Sequence, residues 1–426
     1  MSSLFSWREV RPAPGAVVAP DERLPWPQTA AMGIQHVVAM FGSTVLAPIL
    51  MGFDPNVAVL MSGIGTLIFF LLVGGRVPSY LGSSFAFIGV VIAAKAASGG
   101  AIGPALGGII VCGVVYVLMG FLVMAIGTRW IESLMPPVVT GAVVAVIGLN
   151  LAGIPIKNMA PTPFDAWMQA VTFVSVACVA VFTRGMVQRL LILVGLIVAA
   201  VVYALLTNGM GLGKPLDLSG IANAAWFGAP HFAAPVFEQN AMLLIVPVVI
   251  ILMAENLGHI KAVGAMTGRN LDGMVGRAFV GDGIATIVAG SAGGTGVTTY
   301  AENIGVMAAT KIYSTATFII AALIAILLGF SPKFGALIQA IPLAVMGGVS
   351  IVVFGLIAIA GAKIWVDNKV DFSDNRNLMV AAITLVLGTG DYTLHFGKGL
   401  ALGGIGTATF GAILLWALLG KAKPAK

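Results

Sequence analysis

Apolar runs of about 20 residues recur along the whole chain, broken by short polar or Gly/Pro joints, and each matches the ~30 Å of hydrocarbon that one helix must cross. The pattern predicts spans near residues 29–50, 57–73, 79–96, 104–126, 136–154, 166–183 and 190–207. A second set follows near 240–260, 277–292, 297–310, 313–331, 336–361, 377–394 and 399–419. The longest polar-leaning connection, 208–239, separates two groups of seven. An odd number of spans per group gives the groups opposite orientation, the arrangement of inverted-repeat transporters.

Composition points the same way. The chain has 426 residues, is 59% hydrophobic and only 9% charged, and has a mean hydropathy of +1.04. Soluble globular domains carry about 25% charged residues. An outer-membrane barrel would show alternating segments of ~10 residues, which are absent from the sequence. The expected fold class is therefore an all-α polytopic membrane protein with 14 spans in a 7+7 inverted repeat. Residues 1–28 read as a cytoplasmic tail, 29–207 and 240–419 as the two repeats, and 420–426 as a second cytoplasmic tail. The cysteines Cys112 and Cys178 both lie in apolar stretches, so neither a disulfide framework nor a thiolate metal site is expected.

Charge placement supports the span count. With both termini cytoplasmic, only Lys95, Lys157, Lys214, Lys333 and Lys398 of the 22 basic residues fall outside. That is the positive-inside bias, and one missed span would scramble it from that point onward. It accounts for the net charge of +6 without a nucleic-acid partner, since the basic residues are scattered and form no cluster.

Two runs are defective in matching places, the third of each group: "VPSYLGSSFAFIGVVIAAKAA" and "GGTGVTTYAENIGVMAATK". Each opens with small, β-branched or aromatic residues and keeps about ten residues of clean helical character. Interrupted segments at corresponding positions are the best sequence pointer to a midplane binding site. The plainer alternative is that their glycines serve helix packing.

Carboxylates within spans cost at least ~2.5 kcal/mol at a helix centre, so each is a functional candidate. Glu255 precedes His259 by one turn on the same helix face, which suits sharing or relaying a proton; a span end entering cytoplasmic water is the alternative. Asp282 sits early in the ninth span, either paired with a neighbouring span or capping its helix. Glu302 projects from the start of a half-helix, where unpaired N–H groups gather. A flat neutral heterocycle with alternating N–H and C=O edges fits such a donor and acceptor set, and Phe85 offers a stacking face. Gln35 and His36, in the first span, need partners if buried. No phosphate-binding loop or H-E-x-x-H metal motif is present, which leaves secondary active transport with the proton as coupling ion, no other cofactor and no metal.

"ENIGVMAATK" resembles the signature [QEP]-N-x-G-x-x-x-x-T-[RKG] of the nucleobase/ascorbate transporter family. "GIQHVVAMFGSTVLAP", "YLGSSFAFIG", "AENLGH" and "IPLAVMGGVSIVVFG" resemble its motifs in the first, third, eighth and twelfth spans. Within the family, the chain is most similar to bacterial uracil and pyrimidine permeases. The resemblance implies a proton-coupled, elevator-type importer in the bacterial inner membrane, usually a homodimer among membrane lipids, with uracil or a related nucleobase as ligand. A core domain would comprise spans 1–4 and 8–11, and a gate domain spans 5–7 and 12–14.

Carried over to this sequence, the family's substrate contacts fall on Glu255, Glu302, Phe85, Ser43 and the backbone around Tyr300 and Ala301. Its proton-coupling groups fall on His259, Glu255 and Asp282. Asn303, Gln35, His36 and Thr310 would support the site, with Ser350 and Phe354 on the gate side. Phe354 stands where a uracil permease of the family has tyrosine, so a hydroxyl contact is lost there. Members preferring xanthine or ascorbate often carry Gln at the position of Glu302, so Glu302 favours uracil over the xanthine alternative. An anion exchanger on the same fold is a further alternative, disfavoured by two carboxylates that would repel the anion.

Overall fold

A helix forms in each of the predicted apolar runs of the computed structural model, which describes residues 5–13, 15–396 and 401–420. In chain order the elements used below are α1 Trp26–Met51, α2 Pro55–Leu72, strand β1 Leu81–Ser83, α3 Ile88–Ala97, α4 Gly103–Ile126, α5 Pro137–Leu151, α6 Pro163–Phe182 and α7 Leu191–Ala204. They continue as α8 Val248–Thr267, α9 Val275–Ala292, strand β2 Val297–Thr299, α10 Ala301–Thr310, α11 Thr315–Gly329, α12 Leu343–Asp367, α13 Asn375–Thr389 and α14 Gly404–Leu419. Among the described residues, 8 helices are long and apolar enough to cross a membrane, or 9 if α11 and the helix Pro332–Gln339, bent by 82°, count together. Lys398, Lys421, Lys423 and Lys426, the first residues of the 399–419 run and most of the tail expected at 420–426 lie outside the described residues.

Several boundaries differ from the sequence reading. The twelfth run was expected from 336, but α12 starts at Leu343 and Pro332–Gln339 forms a separate helix. Pro342 is the cause: it has no N–H to donate and disfavours helical backbone at Ile341. The eighth run extends to Thr267 rather than 260 and ends on Gly268 at φ 64, a left-handed cap that suits glycine. Asp282 does not cap a helix start, because α9 begins seven residues earlier, at Val275, and the carboxylate lies in its interior.

The helices pack in two sets. In one, α9 lies against α4 and α2, α11 against α2 and α1. In the other, α12 lies against α5 and α6, α6 against α7, and α13 against α14 and α5. The α4–α9 contact shows why glycine recurs in this chain. A Cβ at Gly113 would stand 2.8 Å from the Gly283 carbonyl, and one at Gly283 2.8 Å from the Gly113 carbonyl. Two helices approach this closely only through small residues, and the backbone contact replaces the side-chain burial that drives packing in water.

The segment expected as a simple tail at 1–28 is folded onto the helices where it is described, and α1 already begins at Trp26. Arg8–Glu9 pairs in parallel with Glu22–Arg23, tied by the ion pairs Arg8–Glu22 and Arg23–Glu9. Val18 is fully buried; its N–H donates to the Lys311 carbonyl (2.9 Å) and its carbonyl accepts from Tyr313 N–H (2.8 Å). Thr315 N–H donates to the Pro20 carbonyl (3.0 Å), and the Trp7 indole donates to the Thr315 hydroxyl (2.8 Å). Arg269, between α8 and α9, pairs with Asp21 and holds that carboxyl below the usual carboxylate range. The segment is thus a strap joining the end of α10, the start of α11 and the α8–α9 connection.

Candidate functional site

The two interrupted runs meet. β1 and β2 pair antiparallel, with Leu81 opposite Thr299, Gly82 opposite Thr298 and Ser83 opposite Val297. Ser84 N–H extends the ladder to the Gly296 carbonyl (3.0 Å), and Tyr300 N–H to the Tyr80 carbonyl (3.0 Å). The β-branched "VTT" and the small residues of "LGSS" suit extended backbone and start a helix poorly. Each outer edge is satisfied by a threonine from a neighbouring helix. Thr66 of α2 accepts from Leu81 N–H (2.9 Å), and Thr286 of α9 accepts from Val297 N–H (3.2 Å). Buried non-helical backbone in a membrane protein needs such partners.

Gly82 is where the strands cross closest. A Cβ there would lie 2.5 Å from the Tyr300 ring and hydroxyl, whose position is fixed in turn. The Tyr300 hydroxyl donates to the Ser83 carbonyl (3.0 Å) and accepts from Thr44 (3.0 Å). Tyr300 is therefore a buried brace whose hydroxyl and N–H are both engaged within the protein, while Ala301, next to it, is exposed.

Glu302 stands in the first turn of α10, whose opening N–H groups have no partner within the helix. The buried Ser43 hydroxyl of α1 donates to its carboxylate. Glu255 of α8 faces the Ser84 hydroxyl and lies within electrostatic reach of Glu302. His259, one turn beyond Glu255, has Nδ1 2.8 Å from the Thr299 hydroxyl, so it is half-buried against β2 rather than extended into water. Phe85 opens the 3-10 turn Phe85–Phe87 and meets Phe354 of α12 edge-on, with ring centroids 5.8 Å apart. That pair joins the two helix sets beside the carboxylates.

The supporting residues divide. Asn303 donates to the His36 carbonyl (3.1 Å) and lies 3.0 Å from His36 Nδ1, locking α10 to α1. His36 packs on the Phe318 ring at 4.4 Å. Gln35 is buried, yet neither amide atom has a hydrogen-bond partner among the described residues. Thr310 and Ser350 both donate to carbonyls of their own helices, Val306 and Met346, each at 2.8 Å. Asp282 accepts from Asn256 (2.6 Å) and Thr298 (3.4 Å), on the side of β2 away from His259, as alternation along a strand requires.

The sequence reading did not single out Ser84, Asn256, Thr298 and Thr299 as site residues. Ser84 and Asn256 lie inside motifs that drew notice for their neighbours Phe85 and Glu255. A cavity of about 840 Å³ opens between the two helix sets, lined among others by Ala86, Ala93, Asn150, Lys157, Ile251 and Asp391. It reaches the residue after Phe85 and one turn of α8 before Glu255, but the two carboxylates do not line it. Among the described residues, no three His, Cys, Asp or Glu side chains gather to hold a metal ion.

Residues 27–396 match the model of the Permease family (Xan_ur_permease). The chain belongs to that family. As a permease it is a transporter rather than an enzyme, and with its apolar helices it is a multi-pass membrane protein. The permease is 67% identical over 409 residues to the "Putative pyrimidine permease RutG" of Escherichia coli (strain K12), covering 95% of this chain and 92% of that relative. It is 40% identical to the uracil permease of Bacillus caldolyticus, covering 91% of each. Among solved structures, the transmembrane domain of the cyanobacterium bicarbonate transporter BicA matches with a TM-score of 0.63 at 15% identity, over 86% of this chain and 97% of that one. The murine anion transporter Slc26a9 in its inward-facing state matches with a TM-score of 0.67 at 11% identity, over 92% and 68%. These two likenesses are of fold alone.

Proposed function

We propose that this permease imports uracil or a closely related pyrimidine across a bacterial inner membrane together with a proton. The observation that carries this reading is the meeting of Glu255 and Glu302 at the open start of α10, beside the Ser43 and Ser84 hydroxyls. Carboxylates accept from ring N–H groups, and the first-turn N–H groups of α10 donate to ring carbonyls. Phe85 supplies an apolar face for a planar ring. The names of the relatives point to the same ligand class.

In this reading Glu255, His259 and Asp282 are the proton-coupling groups. The set containing α1–α4 and α8–α11 is the moving core of an elevator, working against a gate of α5–α7 and α12–α14. Fourteen spans in a 7+7 inverted repeat, cytoplasmic termini and a homodimer belong to the same proposal. The matched roles of Thr66 and Thr286 support the repeat, since each lies in the second helix of its half and holds that half's strand. The anion-transporter likeness favours an exchanger by fold only, and two facing carboxylates oppose an anionic ligand.

Uptake of labelled uracil into proteoliposomes tests the proposal, with xanthine and thymine as competitors. Accumulation should follow an imposed inward proton gradient. Uptake indifferent to that gradient would remove the symport claim, and xanthine outcompeting uracil would move the ligand to the purines.

A further inference from the structure

Behind the carboxylates of the site lies a second polar cluster, closed off from it. Asp282 of α9 is 0% exposed, as is Asn256 of α8. The Asn256 amide N–H₂ donates both to Asp282 Oδ2 (2.6 Å) and to the Tyr116 hydroxyl of α4 (3.1 Å), and that hydroxyl donates to the Leu252 carbonyl (3.2 Å). Thr298 of β2 donates to the same Asp282 oxygen (3.4 Å), with the Thr299 N–H close by. Two oxygens in this cluster, Asp282 Oδ1 and Asn256 Oδ1, are buried and have no hydrogen-bond partner among the described residues.

Among the described residues, the groups shown to act on Asp282 include no cation. From α4 comes Tyr116; from α8 come Glu255 and Asn256; from β2 come Thr298 and the Thr299 N–H; α2 has no titratable side chain. Asn256 is therefore the strongest interaction that the ionised carboxylate has. It is also the residue after Glu255, and Thr298 is the residue before Thr299, which holds His259. A change of charge on Asp282 thus pulls on α8, which carries Glu255, and on β2, which runs through Tyr300 into α10 and Glu302.

We infer that Asn256, held by Tyr116, is a positioning residue that sets the pH at which Asp282 takes up and gives back a proton and passes that change to α8 and β2. This inference rests on the proton-coupled reading above. No bond other than O–H is made or broken: the proton comes from water on the loading side, resides on the Asp282 carboxyl and leaves to water on the other side.

Asn256→Leu keeps the volume but removes the donor to the ionised form, so protonated Asp282 persists to higher pH. The pH profile of uracil uptake should move alkaline by roughly one unit, the shift that corresponds to losing one hydrogen bond to a charge. Tyr116→Phe, which leaves Asn256 in place but removes its support and the bond to the Leu252 carbonyl, should move the profile by less and serves if Asn256→Leu does not reach the membrane. The pH dependence of thermal stability of the purified full chain should shift alike without any substrate, and the shift should vanish in an Asp282→Asn background. A profile that falls in amplitude at every pH without moving along the axis, with unmoved stability curves, overturns the inference while leaving symport intact. Wild-type uptake indifferent to pH and gradient instead removes the symport reading and this inference with it.

Discussion

In the first interrupted span, β1 runs into the 3-10 turn Phe85–Phe87, capped by the Ser84 hydroxyl, and only then into α3. In the second, β2 passes through the single residue Tyr300 and turns directly into α10, with Glu302 in its first turn. Both strands are held by a threonine from a flanking helix, Thr66 or Thr286, and one turn before each lies another buried polar residue. In α2 that residue is Ser62, whose hydroxyl is 2.8 Å from the Tyr80 hydroxyl; in α9 it is Asp282, bonded to Asn256. The two arms share this threonine-and-polar arrangement, and the carboxylates Asp282 and Glu302 sit with the second. The paired strands can hold two facing half-helices open, while an arm that is uncharged at its strand end, with Lys95 at the far end of α3, supplies hydroxyl and aromatic surface and a charged arm supplies recognition of N–H groups.

The largest effect should come from breaking the seam between the arms. Gly82→Val places side-chain atoms where the Tyr300 ring stands, and overpacking of this kind costs about 1–3 kcal/mol or more. The expected outcome is loss of folded protein, read as a collapsed thermal transition in detergent. Next, Glu302→Gln keeps the shape of the charged arm and removes its charge. Uracil uptake should fall roughly 10- to 100-fold, the range for a hydrogen bond to a charged group, with melting little changed.

On the uncharged arm, Phe85→Leu loses the edge-on contact to Phe354, worth about 0.5–1.5 kcal/mol. It should raise the KM for uracil a few-fold and leave the pH profile in place. A shift of that profile would show that the division between the arms is wrong.

The smallest effect tests the strap, which docks through Val18 on the end of the charged arm. Its Asp21 is lowered by Arg269, so the pairing stabilises the fold above the carboxylate's unfolded value and the gain disappears as the pH falls through the lowered folded value. Asp21→Asn should therefore melt slightly lower than wild type at neutral pH, with the difference fading below about pH 4. The pair is largely exposed, which keeps the effect under about 1 kcal/mol.

The interrupted spans were legible because glycine and β-branched residues replace helix formers at matching places, and Glu302 because charge is expensive in lipid. Other features leave no such mark. Asp282 between two glycines reads equally well as a cap, and the start of α9 at Val275 with Asn256 and Thr298 across from it shows an interior hydrogen-bonded group. The start of α12 depends on Pro342, whose effect is local and easily lost inside a long apolar run. The strap was invisible because Val18 docks through its N–H and carbonyl and Pro20 through its carbonyl, backbone groups that leave no side-chain mark in the sequence.

That strap also imposes an order on biogenesis. Val18 leaves the ribosome early, whereas Lys311, Tyr313 and Thr315, which receive it, are made after nearly three quarters of the chain. For most of synthesis the partners of Val18 and Pro20 do not yet exist, although domains generally assemble from the N-terminus onward. Closing the strap is thus a late event that only a chain with α10 and the start of α11 already in place can complete.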